Sequence, residues 1–428
     1  MRVLIVSFYF PPAGGGGVQR VLKLCRHLPE LGIDVDVLAP DDPKWSAVDP
    51  GLAADIPAGT TVHRARYRGP SHAQTPAARL AAAHGASGLG VRAALIGRRV
   101  LLPDPEVAWF ADAVRAGTRI VRERGIDVVL STSPPNSVHV IGAAIARRAG
   151  VPLVTDFRDS WLANPHRRYE RRSVRAKRAV EAKIARAALR RVAAVSAVTP
   201  SIAEEAAALA PHGTPVRVIA NGCDFDEFDG LRYTRGERMR IVHAGSFFGQ
   251  RTPRPFLSAF AALLAARPEL RDRVQAAFLG ELRPADREWA LALGLGDALA
   301  LEGFQPHALA LAAMRGADAL LLLVPRAGGR GLSVVSGKVY EYLAAERPIL
   351  ALVPPEGDAA TLLRDTGSAW IADPDDEAAI GAALAEAVGA WEGDRLGERR
   401  LTPEWRERLD RRTRAAELAE LLRSAVGH

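Results

Sequence analysis

Short apolar runs rich in β-branched residues alternate along the chain with longer Ala/Leu/Arg segments that repeat at helical spacing. Runs apolar on every position suit strands covered on both faces, and the intervening amphipathic segments suit crossover helices, so the pattern predicts parallel sheets. The first series of predicted strands is Val3–Ser7, Ile33–Ala39, Val128–Ser131, Leu153–Thr155, Ala194–Thr199 and Val216–Ile219. A second series follows: Arg240–Ala244, Gln275–Leu279, Leu299–Glu302, Ala319–Val324, Ile349–Leu352 and Ala369–Ile371. Between them, Asp224 to Arg238 is polar and charged, with two glycines and little apolar content, as a linker would be. The expected organisation is α/β, with doubly wound domains over 1–223 and 240–400 and a linker over 224–239. A final helical segment over 401–428 can pack back on the first domain. The stretch from Asp41 to about Pro105 is irregular, with an Ala-rich helical pattern near Ala77–Ala83, and suggests no function.

At 428 residues, two or three domains are expected. A hydrophobic fraction of 48% and a charged fraction of 25% exclude disordered, collagenous and disulfide-scaffold classes. Cys25 and Cys223 lie far apart with no metal-ligand pattern beside them, which suggests buried apolar groups in a reducing, cytoplasmic setting. No leader segment is apparent, and the longest apolar stretch, Ala317 to Pro325, is strand-sized, well below the roughly 18–20 residues of a membrane span.

The net charge of +8 is local. His166 to Arg191 holds nine Arg and two Lys against Glu170 and Glu181, a charge of +9, leaving the remainder at −1. The spacing predicts a helix with Ala176, Val180, Ile184 and Ala187 on its packed face and Arg171, Arg175, Arg178, Arg186 and Arg190 along another. Such a stripe suits electrostatic docking on anionic lipid. Nucleic acid is not indicated: no RNP, zinc or helix-turn-helix signature occurs, and the basic run is not interleaved with stacking aromatics.

Candidate chemistry sits at the carboxyl ends of strands, where open α/β sheets bind ligands. After the first strand, Ser7 to Arg20 carries Gly14, Gly15, Gly16 and Gly17 ahead of a helix, which suits close approach to a phosphate or substrate. It matches neither the G-x-G-x-x-G dinucleotide pattern nor a P-loop. Ser131 to His139 includes Ser133, Asn136 and His139, and the next strand ends in Asp156-Phe157-Arg158-Asp159-Ser160-Trp161; together they suggest a sugar-sized polar site. In the second series, Gly245-Ser246 precedes Arg251 and Arg254, which suits an anionic ligand. Ser336-Gly337 opens a helix whose first-turn N–H groups can bind phosphate, with Lys338 in that turn and Glu341 one turn on. The chain has five lysines against 52 arginines, and Lys338 is the only lysine after Lys183. A cation there opposes the helix dipole unless an anion binds.

These motifs, with Val218-Ile219-Ala220-Asn221-Gly222-Cys223-Asp224, occur in an order and spacing that resembles the retaining glycosyltransferases of the GT4 family, in the branch found with surface-polysaccharide biosynthesis. The resemblance spans nearly the whole chain. It implies the GT-B fold, two Rossmann-like domains facing each other across a cleft, and a nucleotide-sugar donor, UDP- or GDP-linked, held mainly by the second domain. It implies catalytic roles for Arg251 and Lys338 at the diphosphate and for Glu341 at the ribose, with Gly16, Gly17, Gly245, Ser246, Ser336 and Gly337 binding donor. Ser133, Asn136, His139, Asp156, Arg158 and Asp159 would lie on the side of a glycan or lipid-linked acceptor. No metal and no separate cofactor are implied, since cations and a helix dipole stabilise the departing diphosphate. The sequence departs from the family at Ser333, in place of the first of two glutamates eight positions apart, at Arg158-Asp159 in place of His-Asp, and at Ser133 in place of His. The alternatives are a sugar-nucleotide epimerase of the same fold and a non-catalytic sugar- or nucleotide-binding protein.

Overall fold

The computed structural model describes residues 1–45, 48–49, 51–71, 101–163, 172–247, 250–329 and 331–427. The Ala77–Ala83 segment and Arg171 lie outside the described residues. The chain divides into two compact units, Met1–Ala220 with Arg412–His428, and Asn221–Arg411.

The first unit carries strands β1 (Arg2–Ser7), β2 (Asp34–Pro40), β3 (Thr61–Ala65), β4 (Val128–Thr132), β5 (Leu153–Phe157), β6 (Ala194–Ala197) and β7 (Val216–Val218). Its helices are α1 (Gly16–Glu30), α2 (Gly51–Ala54), α3 (Phe110–Arg124), α4 (Ser137–Ala149), α5 (Arg172–Leu189) and α6 (Pro200–Leu209). The strands form one parallel sheet in the order β3-β2-β1-β4-β5-β6-β7. Strand order reverses between β1 and β4, so the helices divide between the two faces. Trp109, Val114, Ile141, Ile145, Leu189 and Ile202 pack on one face; Val21, Leu28, Leu418 and Leu422 pack on the other.

The second unit carries β8 (Met239–Ala244), β9 (Val274–Leu279), β10 (Leu299–Gly303), β11 (Ala319–Leu323), β12 (Ile349–Leu352) and β13 (Ala369–Ala372). Its helices are α7 (Arg254–Ala266), α8 (Pro284–Ala292), α9 (His307–Arg315), α10 (Gly337–Ala344), α11 (Asp358–Thr366), α12 (Glu377–Glu392) and α13 (Pro403–Leu409). The sheet is again parallel, ordered β10-β9-β8-β11-β12-β13, with its reversal between β8 and β11. The last helix, α14 (Arg411–Val426), returns to the first unit and buries Ala415, Leu418, Leu421 and Leu422 there.

The fold is thus α/β with two Rossmann-like parallel-sheet units, and every predicted strand is present. Three features differ from the sequence reading. β3 was not predicted: Thr-Val-His-Arg-Ala at a sheet edge buries only Ala65 fully, so its apolar signal is weak. The segment expected as a linker is packed into the second unit. Phe225 and Phe228 are buried, Tyr233 donates to Asp318 at 2.5 Å, and Arg235 lies over the Trp391 ring at 5.3 Å. Its polar composition concealed these anchors. On α5 the packed stripe is Glu181, Ala185, Ala188 and Leu189, while Ala176, Val180 and Ala187 are exposed and Ile184 is half-buried. The true stripe is offset because it contains a carboxylate, 3.9 Å from Lys177, that reads as surface.

Candidate functional site

In the second unit the candidate donor residues meet at the strand-order reversal. The pairing of β8 with β11 spans only Ile241 and Val242. Beyond it His243 fills the gap, its Nδ1–H donating to the Leu321 carbonyl at 2.8 Å. That bond fixes the tautomer, and the Nε2 lone pair is buried with no protein donor. Burial, with the nearby Lys338 and Arg251 cations adding, pushes the His243 pKa down to about 3.

The turn after β8 is shaped by close backbone approach. Gly245, at φ 142°, lies beneath the Lys338 side chain: a β-carbon at 245 would collide with Cε and Nζ. Gly280, at φ 134°, in turn leaves room for the Gly245 carbonyl and the Ser246 nitrogen. Ser246 Oγ accepts from the Glu281 N–H at 3.0 Å, and the Phe247 N–H donates to the Glu281 carbonyl at 2.8 Å. The α10 side of the same point is tied on by Tyr342, whose buried hydroxyl accepts the Ala244 N–H at 2.9 Å.

Ser336 stands at the N-cap of α10, but its hydroxyl makes no cap hydrogen bond and is buried without a protein partner. Gly337 is exposed at the first helical position, Lys338 and Arg251 are half-buried, and Glu341 is exposed one turn further. Burial holds both Lys338 and Arg251 below their ordinary pKa; Glu341 opposes this at Lys338. Two incompletely solvated cations, an unused hydroxyl and a helix N-terminus are groups that suit an anion. Arg254 is committed elsewhere, to Asp286 at 2.7 Å and across Trp289.

In the first unit the β1 and β4 loops again meet at the strand-order reversal. Arg158 brackets them: Nη1 donates to the Gly17 carbonyl at 2.7 Å and Nε to the Ser133 carbonyl. Its Nη2 is buried with no protein acceptor. Gly17 also lies against Tyr9, whose ring would be 3.6 Å from a β-carbon at 17. Asn136 is half-buried at the start of α4, Ser133 is buried, and Asp159 is exposed.

Two expected acceptor-side residues serve the fold instead. Asp156 is fully buried and takes Arg20 Nε at 3.0 Å, Arg20 Nη2 at 2.8 Å, Thr132 Oγ1 at 2.8 Å and Ser196 Oγ at 2.7 Å. Although burial alone would raise its pKa, Arg20 and the Ser196 hydroxyl hold it below the ordinary carboxylate range. Arg20 continues to the carbonyls of Ile219 and Ala220. His139 is also fully buried, stacked on Phe157 at 4.4 Å and bonded to Ser131 Oγ at 2.9 Å, and burial pushes its pKa down to about 3.

Residues that sequence reading missed are Tyr342, His243 and the pair Asp104 and Glu106. These two carboxyls are each 8% exposed, and Asp104 Oδ2 accepts the Ser137 N–H at 2.9 Å. Burial raises the Asp104 pKa. Both thiols are buried as expected, with Cys25 pushed up to about 12. Among the described residues, no group of three or more His, Cys, Asp or Glu is placed to hold a metal, and no helix is long and apolar enough to cross a membrane. On α5, Arg175, Arg178 and Arg186 are exposed, as is Arg190 just beyond it.

Residues 15–222 match the family described as glycosyl transferase 4-like domain. Sucrose-phosphate synthase from Thermosynechococcus elongatus superposes with a TM-score of 0.64 at 15% identity, covering 100% of this chain and 99% of that one. A glycosyltransferase from Rickettsia africae ESF-5 gives 0.65 at 11% identity, covering 99% and 98%. HepE from Anabaena, solved with UDP, gives 0.63 at 14% identity, covering 99% and 100%, and has also been solved with UDP-glucose. No curated protein matches the sequence. The domain match covers residues 15–222, and these solved structures share the fold of two Rossmann-like parallel-sheet units.

Proposed function

We propose that this enzyme moves a sugar from a nucleoside-diphosphate sugar to a glycan, lipid-linked or small-molecule acceptor, with retention at the anomeric carbon and without a metal ion. The observation that carries the reading is Lys338 lying over Gly245 beside the unused Ser336 hydroxyl at the α10 N-terminus. A diphosphate placed there would take the Ser336 hydroxyl, the first N–H groups of α10 and the charges of Lys338 and Arg251. As the bond from the anomeric carbon to the diphosphate oxygen breaks, those groups meet the developing negative charge, which is work otherwise done by a metal. Glu341, exposed one turn beyond Lys338, suits the ribose hydroxyls. UDP is the first nucleotide to test, since HepE binds it; GDP is the second. An epimerase of this fold would need titrating acid–base groups in its site, and burial holds His139 in the first unit and His243 in the second well below the ordinary histidine pKa.

A lipid-linked acceptor would place the enzyme on the cytoplasmic face of the membrane, as expected for surface-polysaccharide assembly. The exposed arginines of α5 support that placement. Titration of the protein with UDP and GDP, followed by calorimetry, tests the donor site. Micromolar binding that weakens at least tenfold in Lys338→Ala is expected, and binding of neither nucleotide would refute the reading.

A further inference from the structure

Helices α3 and α4 pack side by side on one face of the first unit's sheet, and a groove of about 870 Å³ opens on their solvent side. That volume falls within the roughly 300–1,000 Å³ that takes a small ligand. The helices meet closely, since Gly117 of α3 lies against the Ile145 side chain of α4 with no room for a β-carbon. Arg115, Arg119 and Arg122 follow at four and three residues on α3, so their side chains share one face over about 10 Å. Arg148 of α4 joins them, and all four are exposed. Four guanidiniums thus face one lining carboxylate, Glu123, a net charge of +3. Among the described residues, no carboxylate comes closer to them than 3.5 Å. Arg119 is 3.8 Å from Glu123, and Arg115 is 3.5 Å from Asp112, whose other oxygen takes Arg68 at 2.9 Å. Arg122 reaches the Arg148 carbonyl at 3.3 Å, and the Arg148 guanidinium has no partner among the described residues. Elsewhere in the chain, Arg267 and Arg326 each engage two carboxylates. Cations in a last helical turn complement the helix dipole, which accounts for Arg122 and Arg148. It does not account for Arg119 and Arg115, about one and two turns earlier, which repel each other at that spacing.

We propose that this groove binds a soluble oligophosphate carrying about three negative charges, at a place separate from the candidate donor and acceptor residues. Guanidinium forks match phosphate oxygens bidentately. A row of phosphates laid along α3 would relieve the repulsion among Arg115, Arg119 and Arg122. A lone carboxylate or a single-phosphate headgroup would leave most of the guanidiniums unpaired, so charge complementarity favours a di- or triphosphate. The Thr118 hydroxyl, in the middle of the groove, is spent on the Val114 carbonyl at 2.7 Å, so recognition falls to the arginines. Arg148 stands about three turns beyond Ser137 on α4, which puts it about 16 Å along the helix from the β4 loop.

Calorimetry with sodium tripolyphosphate on the full chain tests this, using the Lys338→Ala protein so that the candidate donor site contributes little. One-to-one binding is expected. It should weaken at least tenfold when Arg119→Gln and Arg122→Gln are added, and likewise when Arg115→Gln and Arg148→Gln are added instead. Inorganic monophosphate should bind at least tenfold more weakly than tripolyphosphate. All four side chains are exposed, so melting curves of both double variants should match their parent. No binding of tripolyphosphate, unchanged affinity in either double variant, or equal affinity for monophosphate would each overturn the site. Capture by phosphatidylglycerol vesicles that is lost in these variants while tripolyphosphate affinity stays would assign the arginines to a lipid surface, and would overturn it too. The transferase reading stands or falls separately, on nucleotide binding by the second unit.

Discussion

The Lys338 side chain lies across Gly245, so the backbone of the β8 turn and the first turn of α10 are in contact through a residue with no side chain. Gly245→Ala adds a β-carbon where Lys338 runs, at a φ that L side chains rarely adopt. Nucleotide binding should weaken at least tenfold, about 1.4 kcal/mol, as measured by calorimetry, while the Ala244–Tyr342 bond keeps the fold. An unchanged affinity would mean that Lys338 does not need this position.

Asp156 and Arg20 form a buried pair, and Asp156 also takes the Thr132 and Ser196 hydroxyls. Asp156→Ala strands the Arg20 guanidinium and should cost about 3–5 kcal/mol by denaturant unfolding. Much of the candidate site was legible from such positions: apolar runs locate the strands, and polar clusters at their carboxyl ends mark the loops. The partners were not. Asp156 looked like a site residue because spacing along the chain says nothing of Arg20, 136 positions away, or of Ser196, 40 away. Asp104 and Tyr342 were missed for the same reason, since each acquires meaning only through a contact in space.

Acid should destabilise the protein in two stages. His139 and His243, with pKa near 3 when folded, bind protons more readily unfolded. Stability therefore falls below about pH 6.5, by roughly 1.4 kcal/mol per pH unit for each histidine. Asp156, depressed when folded, contributes stability that is present above about pH 4 and lost as pH drops through its folded value. Chemical unfolding at several pH values checks the slope. Imidazole C–H resonances of these two histidines should not move between pH 5 and 8, and a midpoint near 6.5 for either would contradict the burial argument.

The exposed arginines of α5 give a salt-sensitive expectation. Sedimentation with anionic liposomes should capture the protein at low salt and release it at high salt. Replacing Arg175, Arg178, Arg186 and Arg190 with Gln should abolish capture, and retained capture would place the contact elsewhere.

The central claim is that the second unit holds a nucleoside-diphosphate sugar for transfer. Release of nucleoside diphosphate from a panel of UDP- and GDP-sugars, with Glu341→Ala and Lys338→Ala alongside, tests it most directly. The account predicts release from at least one donor, cut at least tenfold in both variants. No release and no donor-induced thermal shift with any member of the panel would contradict it.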